Sequence, residues 1–470
     1  MELLDTKIHN TDSSDSSIDT PNHQKPVTMI DTQDTWIERS MGMGKWRIRE
    51  SWLPVFEGRD CPDWLHLDRD NRARLVKDNH GRQVWRVTVG DRLVYVKISQ
   101  PTHRWAWFRR LFFGSNSAYE SRVADYAAAC QIDTVWPVAA ADVKIAGQRP
   151  ISILITAGLP RASTLIEFWS SLHLKRKETR EIKNKVIETA ARLMAQAHQS
   201  GFVHLDLHAG NVLIEPLDNG SYRVLFVDLH NVRIGKSVSS RDVARNLAQF
   251  GQWFRVRGML TDRIRFFNRY LYWRDILGED GGLNCSRDEL LRLIKRFAVT
   301  HANDLYIKRD RRVMRTGRYF AKLDLDNGWR AHVFLQCKHK MLGSRASEMV
   351  FTKQQWRQWL KRPEDWIDIS DQRYLIKDST SAKICRAQIP IDGAEPLDVI
   401  CKEASSRNLF KGIQNCLRTS RSLLTWKRAN ELLHRRIPTA RPLAVAEKRR
   451  FGLLLDSIII TEYIEYAHDL

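Results

Sequence analysis

The chain has no Cys-x-x-Cys pair: its seven cysteines (Cys61, Cys130, Cys285, Cys337, Cys385, Cys401 and Cys416) are odd in number and scattered. That spacing excludes the common structural-zinc and dithiol redox patterns and points to reduced thiols in a cytosolic setting. Long apolar runs are lacking as well. The most apolar stretches, Ile151–Leu159 and Leu453–Ile464, fall far short of the ~20 residues a spanning helix needs, and the second contains Asp456. No basic-then-apolar leader opens the sequence, so a soluble chain, or one peripheral to a membrane, is expected. Glycine is scarce where a phosphate-covering loop would use it. The turn Asp78-Asn79-His80-Gly81-Arg82-Gln83 holds a single glycine instead of three.

Acidic residues are also in deficit, and unevenly. Net charge is +21, yet residues 1–40 hold eight acidic side chains and only three basic ones. The remainder carries 73 basic against 47 acidic residues, a balance of +26. Such a body favours polyanions: nucleic acid, an anionic membrane surface or a phosphorylated substrate. No nucleic-acid-binding module is evident, so specific nucleic-acid recognition is not expected. At 470 residues and 43% apolar content the chain is long enough for two or three domains with their own cores.

What is present concentrates in residues 204–230. The run His204-Leu205-Asp206-Leu207-His208-Ala209-Gly210-Asn211-Val212-Leu213-Ile214 is followed by Phe226-Val227-Asp228-Leu229-His230. An Asp, an Asn five residues later, an apolar strand and a second Asp at the end of another strand are the parts phosphoryl transfer requires. A carboxylate orients the attacking hydroxyl, and oxygen ligands hold Mg²⁺ on the phosphates. Asp206 is the expected catalytic base, and Asn211 and Asp228 the expected metal ligands. A hairpin around Asp218-Asn219-Gly220 would bring both ligands to one edge. Upstream, apolar residues from Ile182 to Ala197 recur every three or four positions, one face of a helix stopped by Gly201.

Strands come earlier. Val84–Val89 and Leu93–Ile98 flank Gly90-Asp91, a hairpin signal. Lys97 ends the second, a position from which lysine can hold α/β-phosphates when paired with a helix glutamate, and Glu120 is the candidate partner. Backbone at Gly81–Gln83, with Arg82, would approach a phosphate. His204 is expected to brace its loop, and neutral His208 and His230 match Mg²⁺ poorly. Two competing readings are a metal-dependent hydrolase using His204, Asp206 and His208 on one strand face, and a pseudokinase or scaffold. The first leaves Asn211, Lys97 and Glu120 without a role.

The sequence also repeats. A shift of 305 places Lys97 on Lys402, Ile132–Ala139 on Ile437–Ala444 and Ser152–Thr156 on Ser457–Thr461 without a gap, with 16 identities in the 69 positions from Lys97. The second copy puts Thr425 where Glu120 stands, and it aligns Leu470 with Leu165. It is therefore expected to be a small lobe without a catalytic lobe.

In Tyr95-Val96-Lys97, Glu120, Ile132-Asp133-Thr134-Val135-Trp136-Pro137, His204–Asn211 and Asp228-Leu229-His230, which stands in place of Asp-Phe-Gly, the chain resembles the lipopolysaccharide kinase (Kdo/WaaP) family. The resemblance covers about residues 80–260 and recurs over about 370–470. It implies an α+β, bilobal protein-kinase-like fold with a small β-rich N-lobe and a larger helical C-lobe, followed by a second, truncated N-lobe-like region. The expected division is a disordered polar tail over 1–40, a catalytic domain over 41–305 (lobes about 70–163 and 164–305) and the second lobe over 306–470. The resemblance further implies phosphorylation of a lipopolysaccharide-core sugar or another acidic glycolipid with ATP and Mg²⁺. It implies a cytoplasmic chain, peripheral at the cytoplasmic face of the inner membrane. The extra lobe leaves room for a partner chain.

Overall fold

The computed structural model describes residues 34–41, 44–79, 81–100, 115–144, 150–172, 177–277, 285–337, 343–366, 375–379, 382–403 and 419–465. They form two compact units, Met1–Ile294 and Lys295–Leu470.

The first unit opens with β1 (Trp36–Met41), β2 (Gly44–Arg49), a short helix α1 (Leu53–Glu57), β3 (Ala73–Asn79), β4 (Arg82–Val89) and β5 (Arg92–Ser99). Helix α2 (Asn116–Ala129), β6 (Pro137–Val143) and β7 (Ile151–Ala157) follow. The seven strands make one antiparallel sheet in the order β1-β2-β6-β7-β5-β4-β3. Its alternating inner positions, among them Ile48, Val87, Val94, Val96, Ile153 and Ile155, bury a continuous core with Trp46, Phe56 and Trp64.

The small lobe therefore begins well before residue 70, and Trp36–Met41 is an edge strand where a polar tail was expected to run to residue 40. The rest of that expected tail lies outside the described residues. Polar flanks hid the strand. What anchors it is an arginine: the Arg49 guanidinium lies 4.1 Å from the Trp36 ring and 4.3 Å from Trp136, and pairs with Asp125.

The larger lobe of this unit contains β8 (Ser163–Thr164), α3 (Leu165–Ser171), α4 (Lys177–Gln199), β9 (Val203–His204), β10 (Val212–Pro216), β11 (Tyr222–Phe226) and β12 (Val232–Arg233). It continues through α5 (Ser240–Arg257) and α6 (Leu260–Leu277), and α7 (Arg287–Arg312) runs past the unit boundary. The α4 face Val186, Ala190, Leu193, Met194 and Ala197 is buried as its spacing predicts. Gly201 ends the helix at φ +73°, where a Cβ would stand 2.7 Å from the Lys236 carbonyl oxygen. Two hydrogen bonds, Val135 N–H to Phe226 O (3.1 Å) and Phe226 N–H to Asp133 O (3.0 Å), tie the segment after α2 to the β10–β11 hairpin.

The second unit has β13 (Phe320–Asp324), β14 (Trp329–Phe334), α8 (Lys353–Trp359), β15 (Leu375–Ser379), β16 (Ala382–Ile391), β17 (Ala394–Glu403), α9 (Arg421–His434), β18 (Pro442–Arg450) and β19 (Leu453–Glu462). Its sheet order, β13-β14-β18-β19-β17-β16-β15, is that of the first sheet. The repeat holds at the level of single bonds. Val96 pairs with Ile155, and Cys401 with Ile460, each displaced by 305. Gln131 and Arg436 are both left-handed (φ 55° and 63°) and both follow a helix closed by a six-to-one bond, Ile132 N–H to Ala127 O and Ile437 N–H to Leu432 O.

The duplication starts at Phe320, earlier than the 370s where strand character is legible. The expected division at 305/306 falls inside α7, whereas the compact units divide at 294/295. The terminal match of Leu470 to Leu165 lies outside the described residues.

Candidate active site

Strand β5 buries Val94 and Val96 on one face and so turns Lys97 to the other. There its Nζ donates to Glu120 Oε2 at 2.7 Å and to Asp228 Oδ1 at 3.3 Å. Glu120 is 5% exposed on α2. That helix starts at Ser115, whose hydroxyl accepts the Ala118 N–H, and is fixed to β7 by Ser117 N–H to Ser152 Oγ (3.2 Å) and by the two hydroxyls at 2.8 Å.

Asp228 follows β11 in a left-handed conformation, φ 65° and ψ 56°. A non-glycine residue held there costs on the order of 1 kcal/mol and marks a site that the surroundings over-determine. Three donors converge on its Oδ1: Arg82 Nη2 at 2.5 Å, His230 Nδ1 at 2.8 Å and Lys97. Burial alone would raise this carboxyl's pKa, but the His230 hydrogen bond and the Lys97 and Arg82 charges outweigh it and hold the group well below the usual carboxylate range. Asp228 is thus a permanent anion. Arg82, expected at a phosphate, points its guanidinium at this carboxylate. Gly81 takes φ +81° in the β3–β4 turn, where its carbonyl accepts the Gln100 N–H, while His80 in the same turn is outside the described residues.

The loop carrying Asp206 is held by a ring of bonds. β9 pairs with β12, Val232 opposite His204, and Leu205 N–H donates to Asn231 O. His204 Nε2 lies 3.0 Å from the Val227 carbonyl and its Nδ1 accepts the Asp206 N–H at 3.3 Å. Those partners assign the neutral Nε2–H form, and burial pushes this imidazole's pKa down in agreement. Asn211 Nδ2 donates to Asp206 O at 2.9 Å, and Val227 N–H to Asn211 O at 3.0 Å. The β10–β11 hairpin, Val212 opposite Phe226, closes the path from Asn211 to Asp228. Asp206 itself is exposed, whereas Asn211 is buried.

A second support comes from residues that sequence reasoning passed over. Asn246 of α5 donates from Nδ2 to His204 O at 2.6 Å and accepts His198 at 3.1 Å, and Tyr270 of α6 bonds the other His198 nitrogen at 2.9 Å. Burial lowers the His198 pKa to about 4, so this relay is neutral. The available signal was a polar residue, Asn246, among the apolar positions Val243, Leu247 and Phe250 of one helix.

Residues 205–208 are turn and loop rather than strand, so His204, Asp206 and His208 do not share a strand face. Both His204 nitrogens are used within the loop. Among the described residues the one cluster of potential metal-ligating His, Cys, Asp and Glu groups is Glu120, Asp228 and His230. The hydrolase reading loses its ligand set. For Mg²⁺ the fit is better. Asp228 is ionised and its three partners named above all meet Oδ1, while the Asn211 amide is engaged through Nδ2, so each residue has a side-chain oxygen that takes no part in those bonds. These are hard oxygen donors of the type magnesium takes.

In the second unit Lys402 is exposed, and the exposed Thr425 returns its hydroxyl to Arg421 O at 2.9 Å. No helix among the described residues is long and apolar enough to cross a membrane.

The comparison with curated proteins returned no match. Among solved structures the chain is similar to "WaaP in complex with acyl carrier protein" (21% identity, 54% of this chain and 98% of that chain, TM-score 0.40). It is also similar to "Crystal structure of BubR1 kinase domain" (13% identity, 42% and 50%, TM-score 0.25). Residues 72–270, which hold every site residue described above, match the family model "Lipopolysaccharide kinase (Kdo/WaaP) family". Over that segment, 199 of the 470 residues, the chain is similar to the Kdo/WaaP lipopolysaccharide kinases, a family of phosphotransferases with a hydroxyl acceptor.

Proposed function

We propose that the first unit transfers the γ-phosphate of ATP to a sugar hydroxyl of the lipopolysaccharide core or a related acidic glycolipid. The observation that carries this is Lys97 bridging Glu120 and Asp228 at 2.7 and 3.3 Å beside the Asp206 loop. Glu120, buried and fixed by α2, holds the ammonium where α/β-phosphates would meet it. Arg82 exchanges its contact with Asp228 for a phosphate oxygen, and the Gly81 turn lets backbone come close. Asp228 and Asn211 would hold Mg²⁺, which would supply neutralisation of the charge on the phosphates. Asp206 accepts the proton of the acceptor hydroxyl as its oxygen bonds to the γ-phosphorus, and the bond from that phosphorus to the bridging oxygen breaks to release ADP. The neutral His204, with the Asn246 relay behind it, keeps the Asp206 loop in place without adding charge.

Such an acceptor and ATP meet at the cytoplasmic face of the inner membrane, where a basic chain would lie. The second unit, which lacks the Lys–Glu pair, serves a binding role, toward a partner chain or the membrane. The test is acceptor-dependent ADP release with Mg²⁺-ATP and lipopolysaccharide-core sugars. Release that depends on the sugar and vanishes in Asp206→Asn supports the reading. An Asp206→Asn rate equal to wild type overturns it.

A further inference from the structure

The two units share a sheet but not a charge. Lys295–Leu470 holds 34 basic and 20 acidic residues, against 42 and 35 in Met1–Ile294. Two-thirds of the net positive charge therefore sits on the unit without a catalytic loop.

One element of that unit departs from ordinary hairpin chemistry. The last pair of β18–β19 is Arg450 with Leu453, which leaves Phe451 and Gly452 as the two turn residues. Both are left-handed, φ 52° and 86°. A two-residue turn of this kind favours Asn-Gly or Asp-Gly, because a bulky side chain is disfavoured at positive φ. Here the first position is a phenylalanine, and it is 93% exposed. Leu453 and Leu455, the second of them the unpaired residue of a β-bulge, are exposed at 37% and 52%. Opposite them run Lys448, Arg449 and Arg450, with a register shift between the first two. Arg449 is engaged with Glu447 and the Gly452 carbonyl, and the Arg450 guanidinium lies 5.5 Å from the Phe451 ring. At the root, Asp456 stands across from Lys448. Among the described residues the neighbours of this hairpin stop short: β14 pairs with β18 no further than Lys448, and β17 with β19 no further than Ile458. Residues 449–455 therefore form a two-stranded finger with an apolar tip and a basic collar.

We propose that this finger docks on an anionic lipid surface, with Phe451, Leu453 and Leu455 entering the headgroup–acyl boundary and Lys448 and Arg450 meeting lipid phosphates. An aromatic held out to water in a strained turn gains nothing for the fold of this unit. At an interface the same ring is buried, and the adjoining cations are drawn to negative headgroups. The charge excess of the unit selects an anionic bilayer over a neutral one. This inference stands on the second unit alone and is independent of the kinase reading.

The full chain would be floated with phosphatidylcholine vesicles with and without phosphatidylglycerol. Wild type is expected to float with the anionic vesicles and to be released by salt. Phe451→Asn installs the residue that the turn prefers. Its melting temperature should equal or exceed wild type, while vesicle affinity falls roughly tenfold or more. Phe451→Trp should retain binding, and Arg450→Glu should weaken it roughly tenfold. Wild type that fails to float, or Phe451→Asn that floats like wild type, overturns the proposal. So does a Phe451→Asn chain that loses self-association but not vesicle binding, since the finger would then contact a second copy.

Discussion

The two seven-stranded sheets share strand order and helix-exit geometry, and one difference between them is a single pair of side chains. Lys97 is 14% exposed and bound to Glu120, while Lys402 faces solvent with Thr425 at the matching helix position. What the copies keep is what the fold needs. Ser117–Ser152 recurs as Ser422–Ser457, each a buried hydroxyl pair joining helix to strand (2.8 and 3.0 Å), and the left-handed helix exits recur at Gln131 and Arg436. What only the first keeps is a buried ion pair reaching Asp228. A lobe of this design folds without that pair, which supports the chemical role proposed for it.

The largest effects should come from erasing this difference. Glu120→Thr gives the first unit the residue of the second. Phosphate transfer should fall roughly 10²–10³-fold, because Lys97 is no longer held against the nucleotide, and steady-state kinetics with Mg²⁺-ATP checks it. Lys97→Met should also destabilise the first unit by about 3 kcal/mol, since it leaves Glu120 buried without its counter-charge. Lys402→Met, exposed, should stay within about 0.5 kcal/mol, and denaturant titration of both variants reads the contrast.

A pH profile of the first unit comes next. His198 has a folded pKa of about 4 against an ordinary value of 6.5. Below pH 6.5 the unfolded chain takes up a proton that the folded chain refuses, so the first unit should lose roughly 3 kcal/mol as pH falls from 6.5 to 4 and level off below. His204, also pushed down by burial, adds in the same direction. Thermal melts across that range, followed by a probe in the first unit, check the slope. The smallest effect should be a matched one. Ser117→Ala and Ser422→Ala each remove one buried hydroxyl–hydroxyl bond and should each cost about 1 kcal/mol. Unequal losses would mean that the two helix–strand joints are not equivalent.

Much of this was legible because short-range chemistry carried it. Asp206, Asn211 and Asp228 stand in a fixed spacing that a helix stop and one hairpin suffice to fold, and the gapless shift of 305 made Lys402 and Thr425 readable as the altered copies of Lys97 and Glu120. The strands Trp36–Met41 and Phe320–Asp324 were not legible. Both lie at sheet edges, where alternation is weak and where long-range partners, such as Arg49 stacked between Trp36 and Trp136, decide the outcome. Arg82 on Asp228 and Asn246 under His204 were hidden for the same reason, since each links residues far apart in sequence.

The most direct measurement is transfer of labelled γ-phosphate from ATP to a deacylated lipopolysaccharide core, run with wild type, Asp206→Asn and Lys402→Met under one set of conditions. Chemistry confined to the first unit predicts an Asp206→Asn rate at least roughly 10³-fold below wild type, with the melting temperature unchanged, and a Lys402→Met rate equal to wild type. A labelled product formed equally well by Asp206→Asn, or lost in Lys402→Met, would contradict it.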